Sequence, residues 1–399
     1  MKLKMKKIMR VKGFSFSGVS AGIKAGRKKD LALIASENPA TVAGVFTSNK
    51  IKAAPVLLDI RRVAGGSASA IVVNSGSANV SVGKRGMTDA LCMTSAVEKG
   101  LGIKKGSALV CSTGVIGVPL PIEKIECAVP RLIKGLSPDG AESAVRAMMT
   151  TDAFPKGVSG RLKINGKTVT IVGLGKGAGM ICPDMATMLA FFMTDANVPA
   201  SLLRRALKDA IDASFNRITV DGDTSTNDTV LAMANSMSGA RALKPGSRDY
   251  KNFLKLLSKL SIELAHMVVR DGEGATKFIE ITIKGAASNK DAERVARTCA
   301  LSMLVKTAFF GEDPNWGRIM AALGRSGARI REQSVDISIN GVKLVRHGVD
   351  AGNEASAARA MRKTDIVLVI NLGLGKGAYT LWTNDLTHEY VSINADYRS

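Results

Sequence analysis

The sequence is short of several things that would place a protein quickly. Its 399 residues include five cysteines, Cys92, Cys111, Cys127, Cys182 and Cys299, an odd number with no Cys-x-x-Cys pair. That argues against a disulfide framework or a zinc site and fits a reducing compartment. Three histidines, His266, His347 and His388, stand far apart and form no ligand motif, so each is read as structural or surface. No metal site is expected. Aromatic residues are 4% of the chain and nowhere interleave with basic ones as a base-stacking surface would require. No apolar run reaches the length of a bilayer span. The basic start, Met1 to Lys12, lacks the apolar stretch of a secretion signal. A cytoplasmic protein is expected, with neither a nucleic acid nor a membrane as partner.

Acidic side chains are scarce as well: 34 against 56 Lys and Arg, for a net charge of +22. The basic residues are spread along the whole chain, which describes a surface that attracts anionic ligands. Apolar residues at 46% and charged residues at 23% are ordinary for a folded protein. The length suffices for two domains or one large α/β unit. Forty glycines predict many tight turns and close backbone approaches.

Short apolar runs alternate with helical patterns. Leu31–Ser36, Thr41–Phe46, Ala70–Asn74 and Ala108–Ser112 read as strands, the last ending in the turn Thr113–Gly114. Ala90–Lys99, Ile122–Ile133 and Ala141–Met149 carry helical spacing. Farther on, Ala200–Ser214, Tyr250–Val269 and Asp291–Val305 read as helices, with Phe278–Ile283 and Ile366–Asn371 as strands. Asn165–Gly166 within Arg161–Val172, and Asn340–Gly341 within Val335–Leu344, are hairpin signals.

Several motifs invite chemistry and resist it. Gly18-Val-Ser-Ala-Gly22 has the nucleophile-elbow spacing, but the elbow needs a buried strand before it and a helix after it. Gly173-Leu-Gly-Lys-Gly-Ala178 and its twin Gly373-Leu-Gly-Lys-Gly-Ala378 record either an internal duplication or convergence on a glycine turn. Neither has the spacing of a phosphate loop. Asp221, Asp223 and Asp228 crowd an oxygen-rich segment without the terminal Glu of a calcium loop, so a hydrogen-bonded turn is expected, with a role near an active site left open.

The informative stretch is Lys176-Gly-Ala-Gly-Met-Ile-Cys-Pro-Asp-Met-Ala-Thr-Met-Leu-Ala190. On its face it is a loop followed by a core strand, with Thr187 a β-branched strand residue. A mid-chain threonine hydroxyl is a poor nucleophile and has no base beside it. Cleavage before Thr187 would cure both faults, because the freed α-amine has a pKa near neutrality and lies within reach of its own hydroxyl. Ala186 leaves the scissile carbonyl accessible. The turn Thr113–Gly114 offers a hydroxyl and an N–H to an oxyanion.

That stretch resembles the self-cleavage signature of the ornithine acetyltransferase (glutamate N-acetyltransferase) family. Asn74-Ser-Gly-Ser-Ala-Asn79, Ser112-Thr-Gly-Val-Ile-Gly117, Met149-Thr-Thr-Asp-Ala-Phe-Pro155, Gly311-Glu-Asp-Pro-Asn-Trp-Gly-Arg318 and the tail from Thr383 to Tyr397 agree in order and spacing. Ser77 departs, standing where the family usually has Asn. The resemblance runs from about Gly13 to the end of the chain and implies a layered α/β sandwich, like N-terminal nucleophile hydrolases in layering but not in connectivity. It implies an α chain 1–186 and a β chain 187–399, cut between Ala186 and Thr187 and paired as α2β2. Thr187 would take acetyl from N-acetylornithine and pass it to glutamate in arginine biosynthesis, without a bound cofactor and with acetyl-CoA as a conceivable second donor. Thr113 and Gly114 would form the oxyanion hole. Thr150, Lys176, Thr187, Glu273, Asn394 and Ser399 would contact substrate, Lys176 suiting a carboxylate and Glu273 the ornithine ammonium. Two rival readings are an N-terminal-nucleophile amidase or aminopeptidase, with water as acceptor, and a basic binding protein without catalysis.

Overall fold

The computed structural model describes residue 5 and residues 7–182 and 188–396. Contacts divide the chain into a larger unit, residues 2–216 with 223–268, and a smaller one, residues 217–222 with 269–398.

The larger unit begins with β1 (Phe14–Val19), β2 (Leu31–Phe46), α1 (Ala54–Val63), β3 (Ser67–Ser77), α2 (Arg85–Leu101), β4 (Ala108–Val115), α3 (Ile122–Lys134) and α4 (Ala141–Met148). It continues with β5 (Lys156–Ile164), β6 (Lys167–Lys176), β7 (Leu189–Thr194), α5 (Ala200–Asp212), β8 (Thr229–Ala234) and most of α6 (Arg248–Arg270). Alternation along the strands builds the layers. Leu31, Leu33, Ala70, Val72, Ala108 and Val110 share a core with Leu58, Met93, Val97, Ile125 and Leu132 of α1, α2 and α3. The residues between them, Ala32, Ile34, Ile71, Val73, Leu109 and Cys111, share another with Ala144, Val145 and Met148 of α4. Side chains of successive strand residues point to opposite faces, so a strand apolar at every position is covered on both. The layered α/β sandwich expected from the sequence is what forms.

The sheet runs β4-β3-β2-β8-β7-β6-β5, with β1 also on β2. Sequence order and sheet order differ at one place that matters. β8 and β7, which come after residue 187, lie between β2 and β6, which come before it. Six antiparallel pairs join β2 to β8, from Thr41–Ala234 to Phe46–Thr229, and six join β6 to β7, from Ile171–Thr194 to Lys176–Leu189. At the sheet's edge, β4 is capped by helix side chains rather than left as an open row of donors. The Val110 N–H donates to Asp59 of α1 at 3.0 Å, and the Ala108 N–H to Glu98 of α2 at 3.0 Å.

The smaller unit comprises β9 (Phe278–Ala286), α7 (Asn289–Ala300), α8 (Met303–Phe310), α9 (Trp316–Gly324), β10 (Asp336–Ile339), β11 (Val342–Arg346), β12 (Val349–Asp350), α10 (Glu354–Met361), β13 (Asp365–Asn371), β14 (Gly377–Asn384) and α11 (His388–Asp396). Its sheet runs β12-β11-β10-β13-β9-β14. Ile279, Ile281 and Ile283 of β9, with Ile366, Leu368 and Ile370 of β13, pack with Ala292, Val295 and Cys299 of α7.

Both Asn-Gly hairpins form, with φ of 48° and 75° at Asn165 and Gly166, and 47° and 85° at Asn340 and Gly341. Other expectations are corrected. Leu31–Ser36 and Thr41–Phe46 are one strand, whose pairing with β3 slips between Ala35 and Ala40 around Pro39. Asp291–Val305 is not one helix: α7 ends at Ala300, and the Ser302 side chain accepts the Val305 N–H to start α8. Thr113 and Gly114 do not follow β4 as a turn but lie within it. Among the described residues, no helix is long and apolar enough to cross a membrane.

Removing the Asp59 carboxylate leaves the buried Val110 N–H without its acceptor. Asp59→Ala should lower unfolding free energy by about 1–3 kcal/mol, read from urea denaturation, and an unchanged midpoint would contradict the capping role.

Candidate active site

Lys176 ends β6, paired across to Leu189. Its side chain is buried, and its Nζ donates to the Thr113 hydroxyl at 3.2 Å and the Thr150 hydroxyl at 2.9 Å. Three residues singled out in the sequence thus converge from three segments. Gly114, beside Thr113, has φ 129° and lies against Gly76; a Cβ there would fall 2.4 Å from the Gly76 carbonyl carbon. Only glycine lets the ends of β3 and β4 close in this way. A buried ammonium flanked by two hydroxyls is equipped to bind a carboxylate or to steady an oxyanion.

Asp152 sets this geometry. Its Oδ1 accepts from Lys156 Nζ at 2.6 Å and from the Gly177 N–H at 2.7 Å, while Oδ2 accepts the Thr150 N–H at 2.9 Å. One carboxylate therefore ties the Thr150 loop to the end of β6. Burial opposes its charge, but Lys156, Lys176 and the Gly177 N–H outweigh that and hold Asp152 below the usual carboxylate range. Lys24 approaches the same cluster, its Nζ donating to the Met149 carbonyl. Burial brings the Lys24 ammonium down to about 8, with Asp30 opposing and Lys176 adding to the fall.

The start of β7 is held from the other side. Asp228 Oδ1 accepts the Met188 N–H at 3.0 Å, and the Met188 carbonyl accepts the Thr229 N–H at 3.2 Å. Asn227 Nδ2 donates to the Ala78 and Ser112 carbonyls at 2.6 and 2.8 Å, which locks the loop after β3 and the strand bearing Thr113 onto the same point. Thr113, Lys176, Met188, Ser225, Asn227 and Asp228 line one small cavity.

In the smaller unit, Glu273 Oε2 accepts from Asn394 Nδ2 at 2.9 Å, so these two predicted contacts meet each other. Nearby, Lys306 is buried, donating to Thr383, the Asn384 carbonyl and the Asn384 side chain. Burial brings it down to about 7, against the pull of Asp385 and Asp221. Ala186, Thr187 and Ser399 lie outside the described residues.

Other motifs resolve plainly. Gly18–Gly22 leads from β1 toward another strand with no helix between, so the elbow fails. The glycine twins do not share a conformation: the first lies mostly in β6, whereas the second turns from β13 into β14, which speaks against a duplication. None of the five cysteines forms a disulfide among the described residues. Sequence reasoning missed Lys24, Asp152, Lys156 and Asn227 as site residues, and left Asp228 open. Asp152 and Asn227 lie inside stretches already singled out, but nothing local to them marked either residue.

A model of the ArgJ family matches residues 15–399. The chain belongs to the ArgJ family. It is 51% identical to the arginine biosynthesis bifunctional protein ArgJ of Geobacter sulfurreducens over 98% of this chain and 100% of that one. It is 48% identical to the protein of the same name from Symbiobacterium thermophilum over 97% of each chain. Among solved structures, the arginine biosynthesis bifunctional protein ArgJ of Bacillus halodurans is similar at 42% identity and a TM-score of 0.50. That match covers 52% of this chain and 98% of the solved one.

If Asp152 anchors the site, Asp152→Ala takes from the buried Lys156 its carboxylate partner at 2.6 Å and leaves the Gly177 and Thr150 N–H groups without their acceptor. A loss of about 3–5 kcal/mol is expected, measured by chemical denaturation, with a loss below about 1 kcal/mol contradicting the account.

Proposed function

We propose that this ArgJ-family chain is a glutamate N-acetyltransferase of arginine biosynthesis that cuts itself between Ala186 and Thr187 and carries acetyl on Thr187. One observation supports the reading above the others: Lys176, Thr113 and Thr150 converge at the end of β6, directly across from Leu189, two residues past the proposed nucleophile. The segment that would be cut joins β6 to β7, neighbouring antiparallel strands whose pairing does not depend on its continuity. The Bacillus halodurans chain, matched over nearly its full length, spans about half of this one, as a fragment from one side of a central cut would.

In the proposed cycle the Thr187 amine takes the hydroxyl proton as the oxygen attacks the acetyl carbonyl of N-acetylornithine. Thr113 and Gly114 steady the oxyanion, and the amine returns the proton to departing ornithine. Glutamate then attacks the ester by the same steps in reverse, releasing N-acetylglutamate. Lys176 and Thr150 hold the substrate carboxylate, with Glu273, Asn394 and Ser399 completing the contacts. Acetyl stays on the protein as an ester, so no cofactor is required; acetyl-CoA serves as a second donor, in keeping with the word bifunctional in the relatives' names. The enzyme works in the cytoplasm as an α2β2 assembly, with neither nucleic acid nor membrane as partner. Family membership favours glutamate over water as acceptor.

Mass spectrometry of the purified protein should find fragments 1–186 and 187–399, and N-acetylornithine with glutamate should yield N-acetylglutamate without free acetate. Thr187→Ala should remain uncut and inactive. Lys176→Met should lose about 10- to 100-fold in kcat/KM for N-acetylornithine, the worth of a hydrogen bond to a charged group. An active, uncut native chain would refute the proposal.

A further inference from the structure

The proposed cycle uses the Thr187 amine as base, and that amine does not exist until the chain has been cut. Before cleavage the same nitrogen is an amide and takes no proton. The cut therefore needs another acceptor, close to residue 187 and able to reach its hydroxyl.

Asp228 is hydrogen-bonded to the next residue along the chain. It is 1% exposed, and its Oδ1 is fixed by the N–H of Met188, the amide that directly follows Thr187 in the chain. Its other oxygen, Oδ2, is buried and has no hydrogen-bond partner among the described residues, although the Ser225 side chain lines the same cavity. A buried carboxylate oxygen without a donor is costly and calls for an explanation, of which a catalytic role is one. Its neighbours already take part in the proposed site: Thr113 and Lys176 line the same cavity. Burial drives the Asp228 carboxyl well above the usual carboxylate range, while the Met188 N–H, Lys176 and Ser225 hold the shift back. A carboxylate of raised proton affinity is a stronger base than one in water.

We infer that Asp228 is the proton acceptor for the self-cleavage step, a role separate from acetyl transfer; the inference rests on the proposed cut before Thr187. The Thr187 hydroxyl gives its proton to Asp228 Oδ2 as its oxygen bonds to the Ala186 carbonyl carbon. The carbon–nitrogen bond between Ala186 and Thr187 then breaks, and the nitrogen takes the proton back from Oδ2. The product is an ester between Ala186 and the Thr187 oxygen, with a free amine on Thr187. Water hydrolyses that ester, leaving the Ala186 carboxylate and a restored hydroxyl. Asp228 ends as it began, and the new amine serves as base in every later turnover.

Asp228→Asn separates this role from a structural one, because the amide oxygen still accepts the Met188 N–H but takes up no proton. The variant should fold, with a thermal midpoint near the native one, and cut at least about 100-fold more slowly than the native chain. A second form of the full-length chain carries the recognition tetrapeptide of factor Xa in place of residues 183–186, so that it is cut before Thr187 after folding. In that form, Asp228→Asn should transfer acetyl within about tenfold of the equally treated chain with Asp228 intact, since the amine is then supplied. Cutting at the native rate, or a protease-cut variant without transfer, would overturn the inference. Should Asp228→Asn fail to fold, Asp228→Ala with added formate decides. Restored cutting by formate and not by chloride supports a proton acceptor, and no restoration rejects it. A native chain that stays uncut defeats the proposed function itself; a native chain that cuts beside an Asp228→Asn chain that cuts equally defeats only this inference.

Discussion

The pairing of β6 with β7 is the constraint on which the site depends. Lys176 and Leu189 face each other across the two strands, so the twelve residues between them begin and end at one place. Everything proposed for Thr187 follows from that closure. The residue after Thr187, Met188, is held by Asp228 and Thr229. A nucleophile must be brought within bonding distance of its electrophile, and a segment whose two ends are fixed by a sheet has less freedom to lose in doing so.

The strand order makes the proposed cut mechanically harmless. Residues after 187 supply β8 and β7 to the larger sheet, and residues before 186 supply strands on both sides of that pair. Separating the two fragments would mean breaking the β2–β8 ladder and the β6–β7 ladder together. The cut itself removes only the closure of one short loop, whose entropic worth is small beside two ladders and a shared core. The units defined by contacts and the fragments defined by the cut are thus different divisions of one chain: the larger unit draws on both fragments.

Burying charge at such a site is expensive unless every charge is matched. Lys156 and Asp152 are both shut from solvent, yet Asp152 is satisfied by an ammonium and two backbone N–H groups. Lys176 donates to two hydroxyls that hold it in place, and its charge also acts on Asp152 and Asp228. In a buried site an ammonium acts more strongly on a nearby carboxylate than it would in water. The Lys156–Asp152 pair beneath it is scaffolding.

Legibility in the sequence followed the range of the interaction. The two Asn-Gly turns were readable because two adjacent residues carry the whole signal. The strands of the larger sheet were readable because a strand covered on both faces is apolar throughout. The break between α7 and α8 was missed because helical spacing continues across Ser302, and only its capping bond shows the stop. Thr187 was ambiguous on physical grounds, since a threonine before a core strand is unremarkable, and its proposed role rests on the resemblance to a family. Asp152 and Asn227 act through partners as far as 25 and 149 residues away. No local pattern marks such residues, because what selects them is a carbonyl or N–H that would otherwise stand buried and unpaired. The same logic separates the three aspartates that crowd one segment in the sequence. Asp228 alone among them binds the amide next to the proposed nucleophile, a distinction created by the parallel register of β7 on β8 and invisible before the two strands meet.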